Sequence, residues 1–256
     1  MPFPLLTMTE RLSRVAPLAL PPDEVHVWLV DLSRAAGRPE RYAAVLSNDE
    51  RQRAARYAFD PPRLRFITTR KTLRELLGGY LNLPPQRIRL AYGEHGKPHL
   101  AGRLAVGGLH FNLAHSGDLA LLAFARGRRL GVDVEQVRSL PELMTIANRY
   151  FTANEAAQVA ALPEEERQAA FFACWTRKEA FIKALGAGFA LPPDRFEVSL
   201  GAGEPPRLVA VKGMPGEAER WSLAAWEPRP GYVAALAVEG DGWRLVHKGE
   251  FTPFST

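Results

Sequence analysis

Five side chains on two segments of the sequence have types and spacings suited to phosphate chemistry. Trp175, Glu179 and Lys183 follow one another at intervals of four residues. In an α-helix of about 3.6 residues per turn they lie along one face. Asp133 and Glu135 alternate with valines, and side chains two apart on a β-strand point to the same side. Three carboxylates with a lysine beside them provide the oxygen ligands that a Mg²⁺ ion bound to phosphate takes.

Each segment can be interpreted either as part of a reactive site or as an ordinary surface feature. Glu179 can accept a proton from an incoming hydroxyl, and Lys183 one turn later can contact a phosphate or protonate a leaving group. The same two residues can instead form a surface i, i+4 ion pair, which stabilises a helix by only about 0.2–0.5 kcal/mol. Asp133 and Glu135 can likewise be the solvated face of an edge strand. Because the two segments occur together, we predict a metal site built from both.

Composition limits the class of protein. The chain has 256 residues, of which 46% are hydrophobic and 24% charged, so it is long enough for one large or two smaller globular domains. Its net charge of +5 suggests an anionic partner: a nucleotide cofactor, a nucleic acid or an acidic protein. The only cysteine, Cys174, cannot form an internal disulfide, which favours a reducing cytoplasm. No apolar run approaches the roughly 20 residues of a membrane span.

Periodicity and capping residues predict the helices. Ser47 followed by Glu50 forms a capping box, and Gly186 is placed to end the longest helix, as glycines after helix C-termini do. Arginines are concentrated in the first two helices, which favours forked contacts to phosphate. The predicted helices cover 49–59, 61–81, 141–150, 153–162 and 164–185.

Apolar runs bounded by glycine and proline predict the strands. Strand, helices and antiparallel strands then occur twice, which indicates an α+β fold of two similar halves, residues 1–127 and 128–256. The polar segment 112–117 is predicted as a turn that presents hydrogen-bond donors to a phosphate. Nothing is predicted for the chain after Gly242. The predicted strands cover 25–30, 88–92, 99–100, 109–112, 119–124, 132–135, 196–200, 207–211, 221–226 and 232–238.

Several motifs occur together in an order known from one enzyme family. Residues 131–135 are Gly-Val-Asp-Val-Glu, residues 151–155 are Phe-Thr-Ala-Asn-Glu, and residues 175–180 are Trp-Thr-Arg-Lys-Glu-Ala, with Lys183 following. In this order and spacing the chain resembles the 4'-phosphopantetheinyl transferase superfamily. It is similar to the long, Sfp-type group rather than to the short, trimeric holo-acyl-carrier-protein synthases. Supporting matches are the segments 96–98, 112–116 and 186–192 and the arginine-rich helix that contains Arg74.

The resemblance implies a reaction and a fold. Members of the family move the 4'-phosphopantetheine arm of coenzyme A onto a serine of an apo carrier protein (acyl, peptidyl or aryl) and release 3',5'-ADP. The implied fold is a pseudo-dimer of two α/β halves in one chain, each with an antiparallel sheet packed against helices. Residues 1–127 would bind the 3'-phosphate of coenzyme A, and residues 128–256 would carry the magnesium and the catalytic residues.

The resemblance also implies roles for single residues. Asp133, Glu135 and Glu179 would hold the Mg²⁺, and Glu179 would also act as base toward the carrier serine. Lys183 would contact the phosphates and assist the leaving group. The family usually has Ser-His-Ser where this chain has Ala-His-Ser, so any phosphate contact at position 114 must come from the backbone. The residues implied to bind coenzyme A are Arg53, Arg70, Lys97, Pro98, Ala114, His115, Ser116 and Lys183.

Two other functions use some of the same residues. A metal-dependent phosphohydrolase would have the same metal site with water as the nucleophile. A non-catalytic nucleotide- or RNA-binding module would use the arginine-rich helices but would leave the three carboxylates without a role. We expect the transferase: a cytoplasmic monomer that serves carrier proteins of fatty acid, polyketide or non-ribosomal peptide synthesis, with no nucleic acid or membrane as partner.

Overall fold

A computed structural model describes residues 16–33, 42, 44–186, 188–201 and 203–251 of the chain. The helices are α1 (Asn48–Ala55), α2 (Asp60–Leu81), α3 (Leu143–Tyr150), α4 (Ala153–Ala161) and α5 (Glu164–Leu185). The strands are β1 (Glu24–Asp31), β2 (Leu90–Tyr92), β3 (Pro98–Leu100), β4 (Leu109–Ser116), β5 (Leu119–Arg126), β6 (Leu130–Gln136), β7 (Phe196–Val198), β8 (Leu208–Val211), β9 (Trp221–Trp226), β10 (Tyr232–Glu239) and β11 (Arg244–Glu250). Within these ranges no helix is both long and apolar enough to span a membrane.

Two larger sheets form the centre of the molecule. The first sheet has the strand order β11-β1-β5-β4, and the second sheet has the order β6-β10-β9. All neighbouring strands are antiparallel except β11, which is parallel to β1. The short pairs β2–β3 and β7–β8 are antiparallel as well. The predicted α+β class, with antiparallel sheets packed against helices in two halves, is confirmed.

Three apolar clusters connect the helices and sheets. The apolar stripe of α2, which includes Leu73 and Leu77, packs on the first sheet at Phe124. Side chains from the two sheets meet in a second cluster. On α5, Phe181 packs with Ala235 of β10 in the third. The two long helices therefore each cover one sheet, and the two sheets contact each other between them.

The helices lie where the sequence predicted them, although α1 ends at Ala55 and not at Phe59. The capping box of α1 is present, with the Glu50 carboxylate accepting the backbone N–H of Ser47 at 3.0 Å. Gly186 ends α5 with a φ of 70°, a left-handed conformation that glycine adopts without strain. Cys174 is fully buried on α5, as expected for a small apolar residue on this helix.

The strand β11 is the largest difference from the sequence prediction. It lies in the segment after Gly242, for which no element was predicted, and pairs in register with β1 from Glu24 to Val27. Most of its residues are exposed or half-buried, so it is an edge strand without apolar alternation and gave no periodic signal. The division of the chain at residue 127 stays a prediction. In the structure β11, which lies in the predicted second half, pairs with β1 of the first sheet.

A glycine brings β6 and α5 into very close contact. A Cβ atom at Gly131 would lie 2.1 Å from the carbonyl oxygen of Ala180 and 2.2 Å from the backbone nitrogen of Ala184. Both are backbone atoms of α5, so neither can rotate away. The strand and the helix can keep this separation only because residue 131 has no side chain.

We predict that Gly131→Ala lowers the free energy of unfolding by about 3 kcal/mol or more, because the new methyl group forces β6 away from α5. Urea unfolding followed by circular dichroism measures the change. The matched control is Gly107→Ala, whose Cβ meets nothing within 4 Å, so its stability should stay within about 0.5 kcal/mol of wild type. Equal stabilities of the two variants would contradict this account of the contact.

Candidate functional site

The predicted acidic residues of β6 face α5. Gly131, Asp133 and Glu135 alternate along one side of the strand, and the Gly131 position touches α5 directly. The Lys183 ammonium binds Asp133 Oδ1 at 2.6 Å across this contact. The negative charge of Glu179 acts on both of these groups. We call Asp133, Glu135, Glu179 and Lys183 the carboxylate–lysine cluster.

One oxygen of this cluster is left without a partner. Asp133 is only 4% exposed, and its Oδ2 atom is buried with no hydrogen-bond partner among the residues that the structure describes. A buried carboxylate oxygen with nothing to bind is costly. It marks a position at which a cation would be stabilised.

The shifted pKa values in the cluster also indicate that a cation would be stabilised there. Burial raises the pKa of Asp133 to about 7, with Lys183 opposing the shift and the charges of Glu135 and Glu179 adding to it. Burial also raises the pKa of Glu179, where Lys183 opposes and Glu135 adds. Burial alone would lower the pKa of Lys183, but the ion pair with Asp133 and the charges of Glu179 and Glu135 together raise it. One ammonium thus offsets only part of the repulsion among three carboxylates.

The donor set fits a hard cation, although it is not closed around one. In the part of the chain that the structure describes, no group of three or more His, Cys, Asp or Glu side chains is close enough to hold a metal ion. The free oxygen of Asp133 and the mutual repulsion of the carboxylates nonetheless suit an oxygen-liganded ion such as Mg²⁺. The assignment of Asp133, Glu135 and Glu179 as magnesium ligands stays a prediction.

Ser116 orients Glu135 from the neighbouring sheet. Its hydroxyl donates to Glu135 Oε2 at 2.6 Å and accepts the backbone N–H of Gln136 at 3.1 Å. On the same strand, Asn112 Oδ1 accepts the backbone N–H of Val132 at 2.9 Å. Side chains of β4 therefore take the place of backbone partners for β6, and they hold the two sheets edge to edge. The predicted contact between Ser116 and coenzyme A stays untested, and the hydroxyl already has two partners.

The segment 112–117 was predicted as a turn, and this is wrong for most of its length. β4 runs through Ser116, and the hairpin turn consists of Gly117 and Asp118, followed by Leu119 of β5. Polar side chains inside this strand serve to bind β6. A sequence pattern alone cannot distinguish such inward polar residues from those of a solvated turn.

Neighbouring positions on β4 face opposite ways. Ala114 is 4% exposed and packs in the core between the sheets, so its side chain cannot reach a ligand. His115 is an exposed residue, although its imidazole is partly surrounded by protein atoms. This partial burial, together with the positive charges of Lys183 and Arg65, lowers the pKa of His115. Of the predicted coenzyme A residues on this strand, His115 is the one that lies beside the cluster with an open side chain.

Arg65 is a candidate site residue that sequence reasoning missed. It acts electrostatically on His115 and binds Asp118 of the β4–β5 turn at 2.6 Å, with both side chains partly exposed. In the sequence it is one of several arginines on α2, and its spacing does not single it out. Only the packing of α2 beside the hairpin reveals it.

A cavity of about 560 Å³ lies beside Arg53 and Arg70, the two arginines implied to bind coenzyme A. Arg70 is 6% exposed, and its Nη1 atom is buried without a hydrogen-bond partner within the described residues. Its guanidinium lies 5.6 Å from the ring centres of Phe66 and Tyr92, and burial lowers its pKa. Arg53 lines the cavity and lies 5.3 Å from the Phe66 ring. The arginine cavity is lined by Asp49, Gln52, Arg53, Arg56, Tyr57, Tyr92 and Gly96.

Lys97 and Pro98 have partners within the protein. The Lys97 ammonium donates to the backbone oxygens of Leu130, Lys183 and Ala184 at 3.0, 2.5 and 3.1 Å. Burial lowers the pKa of Lys97 to about 8, with a smaller contribution from Arg129. Pro98 is buried on β3 and has no N–H to donate. Neither residue offers a ready donor to a phosphate in this arrangement.

The remaining motif residues stabilise α5. Lys178 is 1% exposed and binds Glu155 at 2.7 Å. Its ammonium also donates to the backbone oxygens of Pro193 and Phe196 at 2.9 and 2.6 Å. Trp175 packs against aromatic rings, with Phe171 stacked at 6.0 Å between ring centres. Lys178 and Trp175 thus anchor the helix, whereas Glu179 and Lys183 belong to the cluster.

Known proteins are similar to this chain in sequence. A family model described as the 4'-phosphopantetheinyl transferase superfamily matches residues 129–237. A second, described as 4'-phosphopantetheinyl transferase, N-terminal, matches residues 38–126. The chain is 40% identical over 227 residues to the 4'-phosphopantetheinyl transferase HetI of a Nostoc species, covering 89% of this chain and 92% of that protein. It is 28% identical over 199 residues to the 4'-phosphopantetheinyl transferase Sfp of Bacillus subtilis, covering 78% and 84%.

Solved structures give a weaker likeness. The crystal structure of Thermotoga maritima holo-[acyl-carrier-protein] synthase matches with a TM-score of 0.35 and 24% sequence identity, over 43% of this chain and 62% of that one. The sequence relatives decide the classification. The chain belongs to the 4'-phosphopantetheinyl transferase superfamily. Within it the chain is of the Sfp-like type, so the predicted membership is confirmed. The phosphohydrolase and the nucleotide- or RNA-binding module gain no support from these matches.

We predict that Lys178→Met lowers the free energy of unfolding by about 3–5 kcal/mol, because it leaves the Glu155 carboxylate buried without its cation. Chemical denaturation measures the change. Lys212→Met serves as the control, since Lys212 is exposed, and its effect should be below about 0.5 kcal/mol. A Lys178 variant as stable as the control would show that this lysine does not hold α5 in place.

Proposed function

We propose that this chain, as a phosphopantetheinyl transferase, moves the 4'-phosphopantetheine arm of coenzyme A onto a serine of an apo carrier protein. The serine oxygen forms a bond to the phosphorus that carries the pantetheine arm. The bond from that phosphorus to the bridging oxygen of the pyrophosphate breaks, and 3',5'-ADP leaves. The observation that carries the proposal is the carboxylate–lysine cluster, with its free Asp133 oxygen, in a member of this family.

Charge neutralisation is the main requirement of this reaction. Phosphoryl transfer depends mostly on positioning and on stabilising charge at the phosphate oxygens. Asp133, Glu135 and Glu179 would hold a Mg²⁺ ion whose charge offsets that of the pyrophosphate. The Lys183 ammonium would stabilise the charge on the departing 3',5'-ADP. Its raised pKa supports this role, since the group stays protonated at neutral pH.

Glu179 suits the role of base. The serine must lose its proton as it attacks, and a base works best when its pKa is close to the working pH. Burial raises the pKa of Glu179 above that of an ordinary glutamate. Its position one helical turn from Lys183 places the proton acceptor and the phosphate contact on the same face of α5.

Basic side chains from the first sheet and its helices would bind the rest of coenzyme A. His115 lies near both Lys183 and Arg65, and these basic side chains suit the pyrophosphate. Arg53 lines the arginine cavity, and the nearby Nη1 atom of Arg70, which has no hydrogen-bond partner within the described residues, favours the 3'-phosphate. The roles proposed for Lys97, Pro98, Ala114 and Ser116 have less support, because their polar atoms or side chains are occupied or buried.

The partner and setting are further parts of the proposal. A chain with a net charge of +5 would attract the acidic surface expected of a carrier protein. Lys97 of the β2–β3 hairpin reaches α5 within one chain, which supports a monomer that needs no second copy to complete the site. We further propose a cytoplasmic enzyme that does not act on nucleic acid or membranes. Its carrier can come from fatty acid, polyketide or non-ribosomal peptide synthesis.

We predict that Glu179→Gln reduces transfer by at least about 10²–10⁴-fold, the usual contribution of a general base, while the protein stays folded. Mass spectrometry of apo carrier proteins incubated with coenzyme A and Mg²⁺ measures the phosphopantetheine gain. Glu165→Gln, an exposed position in the first turn of the same helix, should retain wild-type rates. Wild-type turnover by Glu179→Gln would remove this residue from the mechanism.

We predict that Asp133→Asn weakens Mg²⁺ binding at least tenfold, because the amide removes the charge that the cation would neutralise. Isothermal titration calorimetry with Mg²⁺, in the presence and absence of coenzyme A, measures the affinity without requiring turnover. Asp241→Asn, an exposed position, is the control. Unchanged Mg²⁺ affinity in Asp133→Asn would refute the metal-ligand role while leaving the transferase assignment intact.

A further inference from the structure

Lys97 connects two parts of the molecule that are distant in sequence. It follows the β2–β3 turn, and its ammonium reaches the start of β6 and the end of α5. The three acceptors are the backbone oxygens of Leu130, Lys183 and Ala184. Two of them are among the last carbonyls of α5, and the Lys183 carbonyl also accepts the N–H of Gly186 at 3.2 Å.

The chemistry of a lysine fits this position closely. An ammonium has three N–H donors, and three carbonyl oxygens lie within hydrogen-bond distance of it. A positive charge at a helix C-terminus is also favoured by the helix dipole. A phosphate could bind Lys97 only by displacing at least one of these carbonyls, so the ammonium would lose a hydrogen bond that it makes within the protein.

The backbone around Lys97 is fixed as well. The Lys97 carbonyl accepts the N–H of Gly93 at 3.0 Å, and the Gly93 carbonyl accepts the N–H of Gly96 at 2.9 Å. The hairpin also packs on the chain just after α5: a Cβ at Gly188 would lie 2.6 Å from His95 Cβ. The lysine therefore extends from a rigid turn that already covers the end of the helix.

We propose that Lys97 is a positioning residue that clamps the end of α5 to β6, and that it is not a ligand of a coenzyme A phosphate. The clamp binds the carbonyl of Lys183 itself, so it fixes the last turn of α5 relative to the strand that carries Asp133. Its effect on catalysis rests on the proposed function. The clamp itself is a property of the folded chain and can be tested separately.

The experiment compares Lys97→Met, Lys97→Arg and Arg53→Met. Hydrogen exchange measured by mass spectrometry reports the protection of the last turn of α5, including the Gly186 amide, which donates to Ile182 and Lys183. Calorimetry reports the affinity for coenzyme A without a carrier protein. Steady-state kinetics separate kcat from the KM for coenzyme A.

The clamp predicts a specific pattern. In Lys97→Met, exchange of the last α5 turn should rise at least tenfold while the middle of the helix is unchanged. Coenzyme A affinity and KM should change less than twofold, and kcat should fall at least tenfold. Arg53→Met should do the reverse, with weaker coenzyme A binding and normal exchange. Lys97→Arg should not restore protection, since a planar guanidinium cannot meet three carbonyls around one point.

Other results would overturn the proposal. A tenfold loss of coenzyme A affinity in Lys97→Met with unchanged exchange, restored by Lys97→Arg, would make Lys97 a phosphate ligand. Normal exchange and normal kinetics in Lys97→Met would show that the contact positions nothing. If wild-type protein neither bound coenzyme A nor modified any carrier, the proposed function would fail, and the exchange measurement would still decide whether the clamp exists.

Discussion

The backbone contact between β6 and α5 brings the groups of the carboxylate–lysine cluster together. Because Gly131 has no side chain, the strand lies directly against the helix at Ala180 and Ala184. Asp133 follows two residues later on the same side of the strand, so its carboxylate meets the Lys183 ammonium at 2.6 Å. An interaction between charges depends on their separation, and in a buried setting this dependence is steep. A small displacement of β6 from α5 would therefore change the electrostatics of the whole cluster.

The cluster is stable without a metal and still suited to accept one. Lys183 neutralises Asp133, which explains how a buried carboxylate is tolerated beside Glu135 and Glu179. Within the described residues the Oδ2 atom of Asp133 has no hydrogen-bond partner, so it remains open to a cation. A substrate that brings its own negative charges requires both a cation and an ammonium nearby. The same imbalance that costs stability in the free protein is thus what the proposed reaction uses.

The sequence predicted most of the fold because local signals agreed with tertiary packing. The predicted bounds of α5 match the structure, and Gly186 ends the helix as predicted. Strand and helix periodicity predicted that Asp133 and Glu135 would share a site with Glu179 and Lys183, but not that Lys183 would pair with Asp133. The sequence did not predict three contacts between distant parts of the chain: Arg65 near His115, the Ser116 hydrogen bond to Glu135, and the pairing of β11 with β1. Each contact depends on which elements become neighbours in the fold. The polar residues of β4 have no sequence pattern that identifies their partners on β6.

Residues of the same motif can have different roles, as Lys178 and Glu179 show. Lys178 and Glu179 are adjacent in sequence, yet the ammonium of Lys178 is buried on backbone oxygens of Pro193 and Phe196 while the carboxylate faces the cluster. With Lys97 holding the carbonyls at the end of the helix, α5 is fixed on both sides of Glu179. Because buried cations bind carbonyls only in a narrow geometry, these two contacts restrict rotation and sliding of the helix. The position of Glu179 against β6 is therefore set by residues that need never touch the substrate.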